Sequence, residues 1–300
     1  MKVLLVGAGV IGTVYGSQLA ADGHLVSVLA HGRRTEQVAR CGLAATDVTT
    51  AVRTVAPADV VDDAGGTAYD LVLLSVRADQ LGPAVGPLRG LPGMPVLLFF
   101  GNNPYGRAGL PGDLPGISYL GFPGIGGSMA DGVAEYMRIS EQPTTLEIGG
   151  GPVVDEFEAA LSRRGFAVTR TSDMDGWLAY HGIFVGSIAA ALRRCHGSAA
   201  GLAGDRPAIT LMCRSIEEGF AALDRRGVAG LPRNLRILHR PVLRPFAVRY
   251  WAHTMRSPMG ERCFAAHARH AESEMRILAS AAVERIGDMR DTVHLREMLA

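Results

Sequence analysis

Residues 3–6 (VLLV) run straight into Gly7-Ala8-Gly9-Val10-Ile11-Gly12, and the helical pattern VIGTVYGSQLAADG follows. A GxGxxG motif on its own is weak. Between an apolar strand and a helix it constrains the fold strongly, because each glycine then has a mechanical task. Gly7 permits a tight turn, Gly9 lets a pyrophosphate approach the backbone, and Gly12 lets the helix lie close to the strand. The helix start then faces the phosphates. Residues Gly7, Gly9, Val10, Ile11 and Gly12 are therefore expected to contact a dinucleotide.

The first 150 residues support this reading. Apolar runs recur at 25–29, 71–75 and 96–100, separated by helix-like or Gly/Pro-rich segments, as in a parallel sheet with crossover helices. The stretches ISYLGF, VAEYMRIS and TTLEIGG read as further strands. A helix at 153–164 and a last strand at 166–169 follow. Beyond residue 172 the strand signals stop. Helices are expected at 175–195, 206–227 and 260–286, with a short one at 289–299. Residues 234–250 read as irregular because Pro241 and Pro245 would break a helix there. The expected class is α/β: a Rossmann-like doubly wound sheet in residues 1–170, then an all-helical substrate or dimerisation domain in 171–300. A cleft between two such domains is the default ligand site.

An NAD site usually places a carboxylate at the tip of the second strand to bind the ribose 2′-hydroxyl. Here that tip reads Leu29-Ala30-His31-Gly32-Arg33-Arg34 and carries none. The two arginines, with His31 beside them, suit a 2′-phosphate, so the expected cofactor is NADP(H).

Other classes are disfavoured. A net charge of +1 argues against a general nucleic-acid or membrane-surface binder. No apolar run approaches the length of a membrane span, and the opening MKVLLVGAG lacks the apolar core of a signal peptide. Four scattered cysteines without a CxxC pair fit a reducing cytoplasm. His267, His270 and Glu274 have helical metal spacing but no third-ligand motif, and no metal is expected.

GAGVIG at 7–12, SVRADQL at 75–81, LLFFGNN at 97–103, GFPGIGG at 121–127 and AESE at 271–274 occur in this order ahead of or within a helical second half. In these features the chain resembles the ketopantoate reductase family over nearly its full length, more strongly in the first half. The resemblance implies an NADPH-dependent reduction of a 2-oxo acid to a 2-hydroxy acid. It implies that Arg77 stands where the family has a cofactor-side lysine. The family's asparagine falls at Asn102 or Asn103, its glutamate that holds the substrate hydroxyl at Glu272, and its carboxylate-binding serine at Ser257. The family's catalytic lysine follows a tryptophan as W-x-K. Here the pattern reads Trp177-Leu178-Ala179, and Lys2 is the only lysine in the chain.

Something else must supply the proton. Tyr180 and His181 lie one and two residues past the lost amine, and either is a competent donor when suitably placed. Ala179, Gly182, Gly186 and Ala190 form a row of minimal side chains on one helix face, which signals either close helix packing or a widened pocket. The expected function is therefore an NADPH-dependent reductase acting on a carbonyl substrate other than ketopantoate. Expected site residues are His181, Tyr180, Glu272 and Asn102. The alternative is an NADP-binding sensor or scaffold without catalysis. The long C-terminal helices are compatible with a homodimer through exposed apolar stripes.

Overall fold

The computed structural model describes residues 1–287 and 291–300. In chain order the first half contains β1 (Lys2–Val6), α1 (Val10–Ala21), β2 (Leu25–Leu29), α2 (Arg33–Cys41), β3 (Leu43–Asp47), β4 (Val52–Ala56), β5 (Asp59–Val61), β6 (Leu71–Leu74), α3 (Leu81–Val85), β7 (Val96–Phe100), β8 (Ile117–Phe122), β9 (Ile125–Ala130), β10 (Val133–Arg138), β11 (Thr144–Glu147), α4 (Gly151–Arg163) and β12 (Val168–Thr171). An eight-stranded sheet runs in the order β12-β11-β8-β7-β6-β1-β2-β5. From β8 to β5 every neighbour pairs in parallel, while β11 joins β8 antiparallel. All residues of β6 (LVLL) and β7 (VLLFF) are buried, as strands covered on both faces must be.

A second sheet, β4-β3-β10-β9, was not expected from the sequence. It draws VAEYMR out of the main sheet: β10 pairs with β3 in parallel and with β9 as a hairpin. The second sheet explains the composition of α1. That helix packs on β1 and β2 and also on β3, β4, β9 and β10, and every residue from Gly12 to Leu19 is buried. A helix covered on both sides has no use for a polar face. Its one phenol is satisfied: the Tyr15 hydroxyl lies 2.7 Å from Thr144 Oγ1 and accepts the Gly124 N–H at 3.0 Å. Tyr15→Phe leaves that buried N–H without its acceptor. It should cost about 1–3 kcal/mol of stability, read from the midpoint of urea unfolding.

The second half contains α5 (Met174–Arg194), α6 (Ala199–Gly204), α7 (Arg206–Arg225), α8 (Arg233–Leu238), α9 (Arg244–Arg256), α10 (Ala266–His270), α11 (Glu272–Ile286) and α12 (Val293–Leu299). The expected class holds: a Rossmann-like sheet followed by helices. Two expectations need correction. Residues 244–256 are helical because Pro245 sits in the first turn of α9, where its missing N–H costs nothing. The expected helix 260–286 is three pieces: a π-helical stretch Gly260–Ala265, then α10, then α11 after a break at Ala271 (φ −124°, ψ 40°). The expected helix 289–299 begins at Val293, and its residues 289 and 290 lie outside those described.

By contact density the chain divides into Met1–Gly101 with Leu110–Ser172, and Asn102–Gly109 with Asp173–Ala300. The excursion 102–109 belongs to the helical unit because α5 anchors it. Gly106 adopts φ +58°, and a Cβ there would fall 2.0 Å from Asp175 Oδ1. The Arg107 N–H donates to the same carboxylate, and the Tyr105 hydroxyl donates to Glu284 at 3.2 Å. Among the described residues no helix is long and apolar enough to cross a membrane.

Candidate functional site

In the sheet unit the glycine turn has the mechanics its sequence implies. Gly7 has φ +91°, and a Cβ there would meet Val76 Cγ1 at 2.7 Å. A Cβ on Gly12 would sit 2.1 Å from the Gly7 carbonyl oxygen, so α1 begins against the turn itself. Gly9 is different. It is exposed, and a Cβ there would meet nothing within 4 Å. Packing does not demand glycine at this position, whereas a ligand lying on the backbone would. Among the described residues no side chain caps α1, so its first N–H groups are left for an anion. Val10 and Ile11, half-buried, carry two of them.

The turn is braced from behind by residues the sequence did not reveal in that role. Ser75 Oγ donates to the Gly7 carbonyl at 2.8 Å. The Arg34 guanidinium donates to the Ala8 carbonyl (2.9 Å), Thr13 Oγ1 (3.0 Å), the Gly132 carbonyl (3.1 Å) and Gln37 Oε1 (2.9 Å). This corrects the expectation that both arginines fork a 2′-phosphate: Arg34 is spent on protein acceptors, and its partial burial pulls its pKa down. His31 and Arg33 remain exposed at the start of α2. Arg77 folds back as a fork onto Asp79 (3.0 and 3.2 Å), which offsets part of its charge.

The asparagine ambiguity resolves. Asn103 Nδ2 donates to the Gly106 carbonyl at 2.7 Å and holds its own turn. Asn102 keeps a buried Oδ1 with no hydrogen-bond partner among the described residues. A buried orphan acceptor costs about 1–3 kcal/mol, and a bound ligand's donor would recover it.

In the helical unit α5 is capped by Asp173, which accepts the Gly176 N–H at 2.7 Å. The residues expected to replace the lost amine do not stand ready to give a proton. Tyr180 is fully buried, and its hydroxyl donates to Asp224 Oδ1 (2.6 Å) and the Val228 carbonyl (2.8 Å). Burial and the Asp224 carboxylate both raise its pKa, so the phenol serves as a tie between α5, α7 and the following loop. His181 stacks on Trp177 with ring centroids 4.8 Å apart and planes 12° apart. Burial, with a contribution from the His267 charge, pushes it down to about 3. It is neutral at physiological pH and has no imidazolium proton to give.

Glu272 is also displaced from its expected role. It is exposed and pairs with Arg276 at 2.6 Å, one turn along α11. Two residues on, Glu274 is buried (2 % exposed) and faces His267 Nε2 at 3.4 Å. AESE offered two glutamates, and only the break at Ala271 decides which one turns inward. His270 is exposed with Nδ1 2.7 Å from the Ala266 carbonyl, and Ser257 Oγ donates to the Thr254 carbonyl at 2.6 Å. Neither expresses a ligand role. The small-residue row divides: Gly186 lies against the α11 backbone, where a Cβ would come within 3.9 Å of Ala279 N. At Gly182 only Leu278 Cδ2 comes within reach, at 3.9 Å. Both distances are ordinary van der Waals contacts, so packing forces glycine at neither position.

These geometries agree with the likenesses of the chain to known proteins. Residues 3–106 match the family profile described as ketopantoate reductase PanE/ApbA. A PanE/ApbA family ketopantoate reductase from Ralstonia eutropha JMP134 superposes with TM-score 0.76 at 22% identity, over 100% of this chain and 96% of the other. The 2-dehydropantoate 2-reductase from Methylococcus capsulatus gives 0.70 at 21% identity, over 100% and 94%. D-mandelate dehydrogenase, in its ternary structure with NADH and anilino(oxo)acetate, gives 0.73 at 15% identity, over 100% and 96%. No curated protein matches the chain in sequence. Over its whole length the chain has the fold of these solved structures, and its residues 3–106 carry the likeness to the ketopantoate reductase PanE/ApbA profile.

Proposed function

We propose that the chain is an NADPH-dependent oxidoreductase that reduces the carbonyl of a 2-oxo acid other than ketopantoate. The observation that carries this reading is Gly9: an exposed glycine with open space above it, in front of an uncapped helix start, inside a turn braced by Arg34 and Ser75. When bound, a reduced nicotinamide supplies the hydride. The chain's own residues do the rest. Residues 7–12 hold the pyrophosphate, and Arg33 and His31 offer exposed cationic and donor groups to a 2′-phosphate. The orphan Oδ1 of Asn102 accepts a hydrogen bond from cofactor or substrate. Tyr180 and His181 are given no proton transfer, for the reasons of bonding and burial above.

The substrate class rests on two observations. Ala179 is a methyl where the related reductases carry an amine, so a ketopantoate site is incomplete. A structural relative, D-mandelate dehydrogenase, is seen in the same fold with NADH and anilino(oxo)acetate, an aryl oxamate shaped like an aromatic 2-oxo acid. The test is NADPH consumption against a panel of aliphatic and aromatic 2-oxo acids. Turnover is expected on panel members larger than ketopantoate. Preferred turnover of ketopantoate would refute the substrate claim, and nucleotide binding with no turnover on any member would favour the sensor reading. The cofactor preference has its own test. Arg33→Ala should weaken NADPH binding roughly 10- to 100-fold, the loss of one charge-assisted contact, and leave NADH binding unchanged in fluorescence titrations. A cytoplasmic homodimer belongs to the same reading. Val242 (80 % exposed) and Phe246 (60 % exposed) offer apolar surface for it, and light scattering checks it.

A further inference from the structure

We propose that Arg34 is a positioning residue for nucleotide binding: it locks the plane of the Ala8–Gly9 peptide so that the Gly9 N–H stays turned toward a ligand on the glycine turn, whichever pyridine nucleotide is bound. The proposal rests on the nucleotide-binding reading above. It starts from a weakness of the turn. Glycine accepts positive and negative φ about equally, so the residue that lets a phosphate approach also removes the steric lock on the peptide before it. Sterics alone would let that plane turn over and aim a carbonyl oxygen at the phosphate. Something must hold it.

The hold is a closed ring of hydrogen bonds. Arg34 Nε donates to the Ala8 carbonyl at 2.9 Å, and Thr13 Oγ1 donates to the same oxygen at 3.2 Å. A terminal guanidinium nitrogen of Arg34 closes the ring by donating to Thr13 Oγ1 at 3.0 Å. Thr13 is fully buried, so its hydroxyl has no solvent to turn to. In a trans peptide the C=O and the following N–H point in opposite directions. With the Ala8 oxygen drawn to Arg34, the Gly9 N–H points away from it. Among the described residues no backbone acceptor takes that N–H, and Gly9 is exposed.

The far side of the guanidinium ties this ring to the second sheet. Its other terminal nitrogen donates to the Gly132 carbonyl at 3.1 Å and to Gln37 Oε1 at 2.9 Å. Asp131 (φ +48°) and Gly132 (φ +84°) form the turn between β9 and β10, closed by the Ala130–Val133 pair. Two positive φ angles in succession are those of a tight hairpin turn, which is a firm anchor. Four of the five N–H donors of Arg34 are thereby committed to protein acceptors. Too little of the fork remains for a bidentate grip on a 2′-phosphate. The role is therefore the same for NADH and NADPH. A lysine, a point charge without a planar fork, cannot reproduce these bonds together.

Fluorescence titration of the full-length protein with NADPH and with NADH tests this in Arg34→Ala, Arg34→Lys and Tyr15→Phe. Both Arg34 variants should bind both nucleotides roughly 10- to 100-fold more weakly, the value of one hydrogen bond to an anion. The two losses should be equal, unlike the NADPH-only loss expected of Arg33→Ala. Arg34→Lys keeps the charge and most of the stem, so it leaves less of a gap than alanine, and its failure to restore binding separates position from charge. Tyr15→Phe loosens α1 at a site that shares no partner with Arg34, and both affinities should stay within about 2-fold of wild type. A loss confined to NADPH would make Arg34 a ligand of the 2′-phosphate. Undiminished affinity in either Arg34 variant would show that the ring is not needed, and an equal loss in Tyr15→Phe would make the effect one of stability. Each of these results overturns this proposal and leaves nucleotide binding standing. A wild-type protein that binds neither nucleotide overturns both.

Discussion

Gly9→Asp should leave the fold intact and abolish nucleotide binding. The expected result is a melting temperature within about 2 °C of wild type, as for surface substitutions that touch nothing. NADPH affinity should fall at least ~100-fold, because a carboxylate placed over the helix start occupies and repels the site of a phosphate. The two halves of this result come from one observation. Gly9 has φ −72°, a backbone any residue adopts, and a Cβ there meets nothing within 4 Å. Gly7 and Gly12 behave differently: a Cβ at either runs into protein at 2.7 or 2.1 Å, so their substitution damages the fold and cannot isolate binding. A Gly9→Asp protein that binds NADPH as wild type does would show that no phosphate lies on that turn.

The second large effect is acid sensitivity set by two buried imidazoles. Burial pushes His181 down to about 3 and His239 to about 4. Their ordinary value in the unfolded chain is near 6.5. Below that pH the unfolded chain takes up protons that the folded chain refuses. Their contribution to stability is therefore complete above about pH 6.5 and is lost progressively as pH falls toward 4 and 3. At about 1.4 kcal/mol per unit, the loss is on the order of 3 kcal/mol for His239 and 5 kcal/mol for His181 by the end of those windows. Among the described residues neither ring nitrogen of His239 has a hydrogen-bond partner, in a cluster of Phe184, Phe220 and Trp251. His239→Leu should therefore be neutral or stabilising at neutral pH and should gain roughly 2 kcal/mol over wild type at about pH 5. Urea unfolding from about pH 8 to pH 4 checks both statements. An unfolding midpoint that holds steady across that range in wild type would contradict them.

The sequence exposed what is local and repetitive, and concealed what is long-range. β1, β2, β6 and β7 were legible because buried parallel strands are continuous apolar runs. β3, β4 and β5 were not: VRTVA (β4) and DVV (β5) are short and largely solvent-facing, and β3 and β4 are assembled into a sheet with β9 and β10 from some 80 residues away, while β5 only edges the main sheet beside β2. Pro245 misled because proline breaks a helix interior and is welcome in a first turn, and periodicity does not say which applies. The glycine turn was fully legible, but its brace was not. Arg34 looked like a phosphate ligand because the chemistry that forks a phosphate also forks backbone carbonyls. In the helical unit, Glu272 and Glu274 are two residues apart, and only the break at Ala271 selects the buried one. Tyr180 and His181 drew attention as the polar members of an apolar run. Their polarity is absorbed locally, the first by Asp224 and the second by stacking on Trp177.

The central claim is that residues 7–12 hold a pyridine nucleotide. Calorimetric titration of the full-length protein with NADPH and then NADH tests it most directly. The account predicts about one saturable site per chain, with NADPH the tighter ligand by the charge-assisted contacts of the α2 start. Absence of binding by either nucleotide at ~1 mM, the upper end of ordinary enzyme–substrate affinities, would contradict it.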